Sequence, residues 1–280
     1  MKIHRNDAPV QGRPAPEKPA EKTKKKRGGG VYLLLMALCG AVFLFCAAML
    51  IQRYWQDHRA QSDFDDLAAM IDTTGQTAEE TPVKDNSAKF ARLLAENPDF
   101  VGWISIDGTN LSFPVMQKPS EPNYYLRHDF SGQYSDYGVP YLEGNCILTP
   151  EKQDNNLVVY GHNMKTGTIF GCLTGYKKEE YYAAHPRIVF DTLYGDAAYE
   201  VFAAFAIDVV EDPNFVYNTY LDMDETTFNE YVGEVMGRSD VKSGITPQYG
   251  DSLLTLSTCE YSSANGRYVV CARRVESGQP

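Results

Sequence analysis

The sequence SLLTLSTCEYSSANGRYVVCARRV, residues 252–275, predicts two adjacent β-strands joined by a short loop. Alternation along the first run places two sets of side chains on opposite faces: Leu254, Leu256 and Thr258 on one, and Leu253, Thr255, Ser257 and Cys259 on the other. The thiol therefore shares its face with polar side chains. Residues 260–266 form the connection, so Cys259 and Arg267 face each other across its mouth.

The proximity of Arg267 to Cys259 has a chemical consequence. A nearby cation favours the thiolate, the nucleophilic form of cysteine, and a guanidinium can donate hydrogen bonds to an oxyanion in a transition state. Three structural interpretations compete with this one: an inert buried cysteine, a disulfide from Cys259 to Cys271, and a solvated edge charge at Arg267. Spacing alone leaves all of them open.

Residues 31–51, VYLLLMALCGAVFLFCAAMLI, contain no charged side chain and predict a transmembrane helix. At about 1.5 Å per residue they span roughly the 30 Å hydrocarbon core of a bilayer. A cleaved signal peptide is the alternative, but its apolar region usually has about 7 to 15 residues. The basic run KTKKKRGGG precedes the segment, which predicts a cytoplasmic N-terminus and an extracellular remainder, a type II topology.

The charges divide unevenly along the chain. Residues 1–30 carry nine Lys and Arg against three Asp and Glu, whereas the remaining residues carry 17 against 34. We interpret residues 1–30 as a basic cytoplasmic tail that contacts anionic lipid. An acidic external domain argues against nucleic-acid binding, because phosphate contacts need a basic surface.

Residues 52–84 predict a juxtamembrane helix and a linker. Phe64, Leu67, Ala68 and Ile71 follow helical spacing, and the polar stretch TTGQTAEETPVKDNS follows them. We place the start of the external domain, residues 85–280, at the end of this linker. The domain opens with a short helix in SAKFARLLAENPDF, which we expect Ser87 to cap and Pro98 to stop.

The external domain is predicted to be mostly β. Short apolar runs recur about every ten residues, which favours a β-barrel or sandwich: VGWISIDG, LSFPVMQ, GVPYLEG, NCILTP, NLVVYGHN, RIVFDT, AAYEVFAAFAIDVV, SLLTLSTC and RYVVCARRV. Two segments are predicted to be helices, KKEEYYAAHP and DETTFNEYVGEVMGRSD. The second has an apolar stripe that we interpret as core packing: Phe228, Tyr231, Val232, Val235 and Met236.

A cysteine nucleophile needs a proton carrier, because a leaving amine must be protonated before it departs. Of the five histidines, three lie in the external domain, namely His128, His162 and His185. His162 ends the run NLVVYGHN beside a glycine, where a catalytic group carried by a loop is expected. A capping role explains His185 at a helix end, and a structural role for His162 also stays open.

Metal and disulfide frameworks have little support. The cysteines outside the apolar segment are irregularly spaced, and the sequence contains no CxxC or HxxxH pair. Acidic pairs such as DMDE are more simply helix caps. We predict neither a metal nor another cofactor.

The sequence resembles a class B sortase. The resemblance rests on three motifs: TLSTC ending at Cys259, GRYVV with Arg267 and VVYGHN with His162. It extends to three further stretches, LLAENPDFVGWISIDGTNLSFPVMQ, YYLRHDFSGQYSDYG and GTIFGCL. Together they span about residues 85–275. It implies an eight-stranded sortase β-barrel with an N-terminal helix. It also implies a helix in the insertion between the sixth and seventh strands, about residues 208–250. This insertion would form one wall of a peptide-binding groove.

The resemblance further implies a membrane-anchored cysteine transpeptidase of Gram-positive cell walls. Cys259 would attack the backbone carbonyl of a Thr in a C-terminal sorting signal, expected to be of the Asn-Pro-x-Thr type, and cut the peptide bond after it. A peptidoglycan amine would then resolve the thioacyl enzyme. His162 would move protons and Arg267 would stabilise the oxyanion. The backbone N–H of Glu260 is expected to be a second oxyanion donor, and Ser257 to contact the signal peptide.

Three alternatives remain at this stage. A pilin-polymerising sortase would use a Lys of another subunit as acceptor, and a membrane-tethered cysteine peptidase would use water. An anchored binding module would need no reactive thiol at all.

Overall fold

The computed structural model describes residues 29–71, 85–164 and 166–275. The chain divides into two compact units, Met1–Gln56 and Asp57–Pro280. Most of the predicted basic tail, the linker after residue 71 and the last five residues fall outside the described parts.

Helix α1, Gly29–Ala68, contains the predicted apolar segment. Tyr32–Gln52, 21 residues with a mean hydropathy of 2.7, is long and apolar enough to cross a membrane and could serve as an anchor, one residue displaced from the predicted segment. The helix continues without a break to Ala68, so the predicted juxtamembrane helix is part of α1. Ile71 lies beyond its end.

The last turns of α1, from residue 57 onward, belong to the second unit. Phe64 and Leu67 are buried in its core, and the ring of Phe64 meets that of Phe113 edge-on at 4.8 Å between centroids. The helical spacing predicted for these residues therefore marks a packing face.

The second unit is built on a closed barrel of eight strands, which confirms the predicted fold. The strands are β1 Phe100–Ser105, β2 Ser112–Met116, β3 Tyr141–Leu142, β4 Asn156–Tyr160, β5 Arg187–Thr192, β6 Ala198–Asp208, β7 Leu253–Cys259 and β8 Gly266–Val275. Their order around the barrel is β1-β2-β3-β4-β7-β8-β6-β5. The pairs β2–β3 and β4–β7 are parallel and the others are antiparallel.

One predicted strand is absent from the barrel. NCILTP, residues 145–150, forms a turn and contributes only an isolated bridge between Leu148 and Gln153. The backbone N–H of Ile147 donates to the carboxylate of Asp154 instead of to a neighbouring strand. A side chain that accepts a backbone donor in this way competes with a strand ladder.

Besides α1, the described residues form three α-helices, α2 Ala91–Glu96, α3 Glu179–Ala184 and α4 Glu225–Arg238, and three short 3-10 helices, Tyr124–Leu126, Gly171–Lys177 and Tyr217–Thr219. The predicted cap of the first is wrong, because α2 begins after Phe90 and the N–H of Ser87 donates to Asp85 in the preceding turn. The carboxylate of Asp224 caps α4 by accepting from the N–H of Thr227 at 2.9 Å, as the acidic pair predicts.

The sheet separates two apolar clusters. The inner cluster fills the barrel and includes Leu254 and Leu256, whereas the outer cluster packs the insertion between β6 and β7 against the barrel wall. Four members of the predicted α4 stripe are buried in the outer cluster and Met236 packs against them. Leu253 also belongs to the outer cluster, so the two predicted faces of β7 are confirmed.

A buried polar network ties the insertion to the barrel. Asn156 on β4 is fully buried, and its Nδ2 donates to the carbonyl of Tyr220 at 2.7 Å. Its Oδ1 accepts from the hydroxyl of Thr255, which lies 2.7 Å from the hydroxyl of Tyr231 on α4. Because every member is satisfied, the network fixes how the insertion sits on β4 and β7.

We predict that Asn156→Leu lowers the free energy of unfolding by roughly 2–4 kcal/mol, because it removes the donor to the Tyr220 carbonyl and the acceptor of the buried Thr255 hydroxyl. The exposed Asn145→Leu is the control and should change stability by about 0.5 kcal/mol or less. Urea unfolding of the purified chain in detergent measures both. Equal midpoints for the two variants would contradict the network.

Candidate active site

The ends of three neighbouring strands bring the predicted catalytic residues to one rim of the barrel. In the parallel pair, Tyr160 lies opposite Ser257, and the next residues on the same face are His162 and Cys259. In the antiparallel hairpin, Cys259 lies directly opposite Arg267. The register therefore places Cys259 and Arg267 opposite each other, and the segment that follows β4 brings His162 to the same rim.

Hydrogen bonds continue this pairing beyond the end of β4. The N–H of Gly161 donates to the carbonyl of Ser257 at 3.1 Å, and the hydroxyl of Thr258 donates to the carbonyl of Gly161 at 2.7 Å. The side-chain amide of Asn163 donates to the carbonyl of Cys259, also at 2.7 Å. The segment that carries His162 is thus attached to the strand end that carries the thiol.

The ring of His162 is oriented by a main-chain carbonyl. Its Nε2 lies 2.8 Å from the oxygen of Leu126, and since a carbonyl only accepts, Nε2 carries a proton. Nδ1 is then the nitrogen that can exchange a proton with a reacting group. The side chain is half-buried, as a group that must meet a substrate requires.

Arg267 and Cys259 are both half-buried. One guanidinium nitrogen of Arg267 donates to the carbonyl of Gly266 at 2.9 Å, and this bond fixes the position of the guanidinium group. Both residues act electrostatically on the buried phenol of Tyr141. The pKa of Tyr141 is raised to about 12, chiefly by burial, with smaller contributions from the charges of Glu143 and Cys259 and an opposing one from Arg267.

Ser257 is placed differently from the expected peptide contact. It is 1% exposed, and its Oγ lies 2.7 Å from the hydroxyl of Tyr217 in the insertion. A direct bond from Ser257 to a peptide would require Tyr217 to move. Burial raises the pKa of Tyr217, while the hydrogen bond from Ser257 and the charge of Arg267 oppose that rise.

The backbone N–H of Glu260 is not available as the predicted second oxyanion donor. It donates to the carbonyl of Gly266 at 2.9 Å and closes the hairpin loop. The side chain of Glu260 has a structural role, because it pairs with Lys177 at 2.9 Å and accepts from the N–H and hydroxyl of Ser262. In this conformation Arg267 is the donor group beside the thiol.

The other two histidines have structural contacts. His128 stacks on Tyr124, with ring centroids 3.9 Å apart, and its Nδ1 lies 2.7 Å from the carbonyl of Tyr124. His185 follows α3 and places Nδ1 2.8 Å from the carbonyl of Asp107. Neither is attached to the end of β7 as His162 is.

All six cysteines are free, and the predicted alternative of a Cys259–Cys271 disulfide is wrong, because Cys271 lies opposite Thr255 and not opposite Cys259. Burial raises the pKa of the Cys146 thiol to about 12 and that of the Cys271 thiol to about 11. Burial also raises the pKa of Cys172. Among the described residues, no group of three or more His, Cys, Asp or Glu is suited to a metal ion.

Two residues at the site were not predicted. Tyr217 lies in the insertion, where no sequence pattern fixes its distance from Ser257. Asn163 directly follows His162, and a polar residue next to a candidate catalytic group is a weak signal that points to it.

Comparison with known proteins identifies relatives that match most of the chain. The sortase domain family model matches residues 104–275. Sortase B of Listeria monocytogenes is 28% identical over 250 residues, which cover 88% of this chain and 96% of the relative, and sortase B of Staphylococcus aureus is 25% identical over 245 residues, 87% and 96%. The structure of a Staphylococcus aureus sortase B–substrate complex superposes with a TM-score of 0.70 at 26% identity, covering 80% of this chain and 100% of that one.

We predict that Cys259 is the most reactive thiol of the second unit. At pH 7.5 a methanethiosulfonate reagent should modify it at least about tenfold faster than Cys172, which is also half-buried but whose pKa is raised. Peptide mapping by mass spectrometry after timed quenching gives both rates on the same sample. Equal rates would mean that the rim does not activate the thiol.

We also predict a pH-dependent role for Glu260 in stability. The hydroxyl of Ser262 and then Lys177 lower the pKa of Glu260 to about 2, below its ordinary value of 4.5. Its stabilisation is therefore complete above pH 4.5 and is lost as the pH falls towards 2. Glu260→Gln should lower stability by about 1–2 kcal/mol at pH 7, and its unfolding curve should approach that of the wild type by pH 2.5. A constant difference across this range would contradict the assignment.

Proposed function

Since the chain belongs to the sortase family of cysteine transpeptidases, we propose that it cuts secreted proteins after the Thr of a C-terminal sorting signal and joins them to a cell-wall amine. The observation that carries this proposal is the register of β7, which sets Cys259 opposite Arg267 and beside the segment of His162. The superposition on a sortase B–substrate complex supports a peptide substrate.

In the first half-reaction, the thiolate of Cys259 attacks the Thr carbonyl carbon and forms a C–S bond. The guanidinium of Arg267 donates hydrogen bonds to the oxyanion that develops on the carbonyl oxygen. The C–N bond then breaks, and the imidazolium of His162 gives the Nδ1 proton to the departing amine. A thioacyl enzyme and a free C-terminal fragment result.

In the second half-reaction, an incoming amine attacks the thioacyl carbon. His162, now neutral, takes a proton from the amine at Nδ1, while the bond from Nε2 to the Leu126 carbonyl keeps the ring in place. The C–S bond breaks and a new amide forms, so that the thiolate and the imidazolium are restored. The cycle is balanced in protons without a cofactor.

We further propose that the catalytic unit works outside the cell, held by α1 in a type II orientation. The nine basic residues of the first 30 precede the apolar segment, and Lys and Arg are retained on the cytoplasmic side. The expected signal is of the Asn-Pro-x-Thr type, and the expected acceptor is an amine of a peptidoglycan precursor.

The proposal is tested with the full chain in detergent, a quenched fluorescent peptide that contains an Asn-Pro-x-Thr signal, and triglycine as acceptor. We expect cleavage and a peptide–triglycine product identified by mass. Cys259→Ala and His162→Ala should each lower kcat/KM by about 10³-fold or more. Arg267→Lys should lower it by about 10²-fold, because an ammonium group lacks the planar set of N–H donors with which a guanidinium binds an oxyanion.

The matched control is Cys172→Ala, which removes another half-buried thiol and should keep activity within about twofold of the wild type. Cleavage that triglycine never diverts into an amide would identify a peptidase. A product formed only with a Lys side chain of a second protein would identify a pilin-polymerising enzyme. Equal activity of wild type and Cys259→Ala would defeat the proposed function.

A further inference from the structure

We propose that Asn163 is a positioning residue that holds the end of β7, and with it the sulfur of Cys259, against the loop that carries His162. Tyr261 supports this contact through a second hydrogen bond. This inference rests on the proposed function, because it assigns a role within the same site. It concerns a side chain that bonds to protein and not to substrate.

The amide of Asn163 extends the β4–β7 ladder by one residue. Main-chain pairing between the two strands ends at Tyr160 and Ser257, and Gly161 makes the last main-chain bond. The chain then turns away, so the carbonyl of Cys259 has no strand partner on this side. The Nδ2 of Asn163 supplies the donor at 2.7 Å and fixes the nucleophile's own peptide group.

Tyr261 makes a second hydrogen bond between the same two loops. It lies two residues after the nucleophile, and its hydroxyl donates to the main-chain carbonyl of Asn163 at 2.9 Å. Its side chain is 68% exposed, so burial does not account for its orientation. Asn163 therefore joins the loop after β4 to the end of β7 by two bonds, one to Cys259 itself and one to Tyr261, two residues further on.

The loop that follows His162 holds backbone strain. Ile169 is buried and has a φ of 56°, a left-handed conformation that is unfavourable for a β-branched residue. It forms a bridge with Asn163, and the N–H of Phe170 donates to the carbonyl of His162 at 2.9 Å. Such a conformation persists only where surrounding contacts hold it, and the bonds of Asn163 are among those contacts.

The chemical consequence follows from the distance dependence of catalysis. The reaction needs the sulfur and the imidazole at a fixed separation, and a displacement of about 1 Å can lower a rate roughly 10²-fold. Without Asn163, the end of β7 keeps its hairpin bonds to β8 and the bonds of Ser257 and Thr258 to Gly161, but the peptide group of Cys259 itself loses its bond to the segment after His162. The chemical step should suffer, whereas peptide binding should not.

The test compares Asn163→Ala, Asn163→Asp, Asn163→Gln and Tyr261→Phe in the full chain. Asn163→Ala and the isosteric Asn163→Asp, which cannot donate, should lower kcat about 10- to 100-fold with KM within about twofold of the wild type. Asn163→Gln keeps the donor and should stay within about fivefold of wild-type kcat. Tyr261→Phe removes one exposed hydroxyl and should lower kcat about 3- to 10-fold.

The control is Asn86→Ala. Asn86 makes a similar bond, from Nδ2 to the carbonyl of Thr192 at 2.8 Å, on the far side of the barrel beside β5. The Asn86→Ala variant should lower the melting temperature at least as much as Asn163→Ala does and leave kcat within about twofold of the wild type. A loss of kcat that matches between the two variants would reduce Asn163 to a structural residue and overturn the inference.

A second readout needs no peptide. The rate at which iodoacetamide alkylates Cys259 at pH 7 reports how the thiol is held in the site. Asn163→Ala, which adds no charge beside the sulfur, should slow alkylation by about fivefold, whereas Asn86→Ala should keep the wild-type rate. An unchanged rate in Asn163→Ala overturns the inference, and this measurement remains decisive even if wild type and Cys259→Ala are equally inert towards peptides, the outcome that defeats the proposed function.

Discussion

The parallel pairing of β4 with β7 is the constraint on which the rest of the site depends. His162 and Cys259 are 97 positions apart in the chain, and they reach the same rim because parallel strands end at the same edge of a sheet. An antiparallel arrangement would leave the histidine at the opposite end of the barrel. The hairpin of β7 with β8 then adds Arg267 from the next strand, so two different kinds of pairing assemble one rim.

The outer face of β7 explains why the insertion carries tyrosines. Thr255 and Ser257 are buried hydroxyl groups in the row that ends at Cys259, and a buried hydroxyl without a partner is costly. Tyr231 on α4 and Tyr217 ahead of it supply those partners at 2.7 Å each. The insertion is therefore held by specific polar bonds as well as apolar packing, and its position relative to the nucleophile is fixed.

Much of this arrangement is legible in the sequence, because it depends on local periodicity. Alternation in residues 252–259 predicts the two faces of β7, and the acidic pair before α4 predicts its cap. The failures have a common physical origin in bonds whose partners are decided by tertiary structure. The N–H of Glu260 is engaged by Gly266, the hydroxyl of Ser257 by Tyr217, and the amide of Asn163 by a carbonyl 96 positions away.

The difference between Cys259 and Cys271 shows what selects a nucleophile in this barrel. Both thiols lie on the outer face of the same hairpin, since Cys271 faces Thr255 in the row that ends at Cys259. Cys271 is enclosed beneath Tyr231, and burial raises its pKa to about 11, so that the thiol stays protonated at neutral pH. Cys259, four residues further along β7 from Thr255, emerges from under the insertion beside a guanidinium and an imidazole. Position along the hairpin, and not residue type or face, therefore decides which sulfur is placed to react.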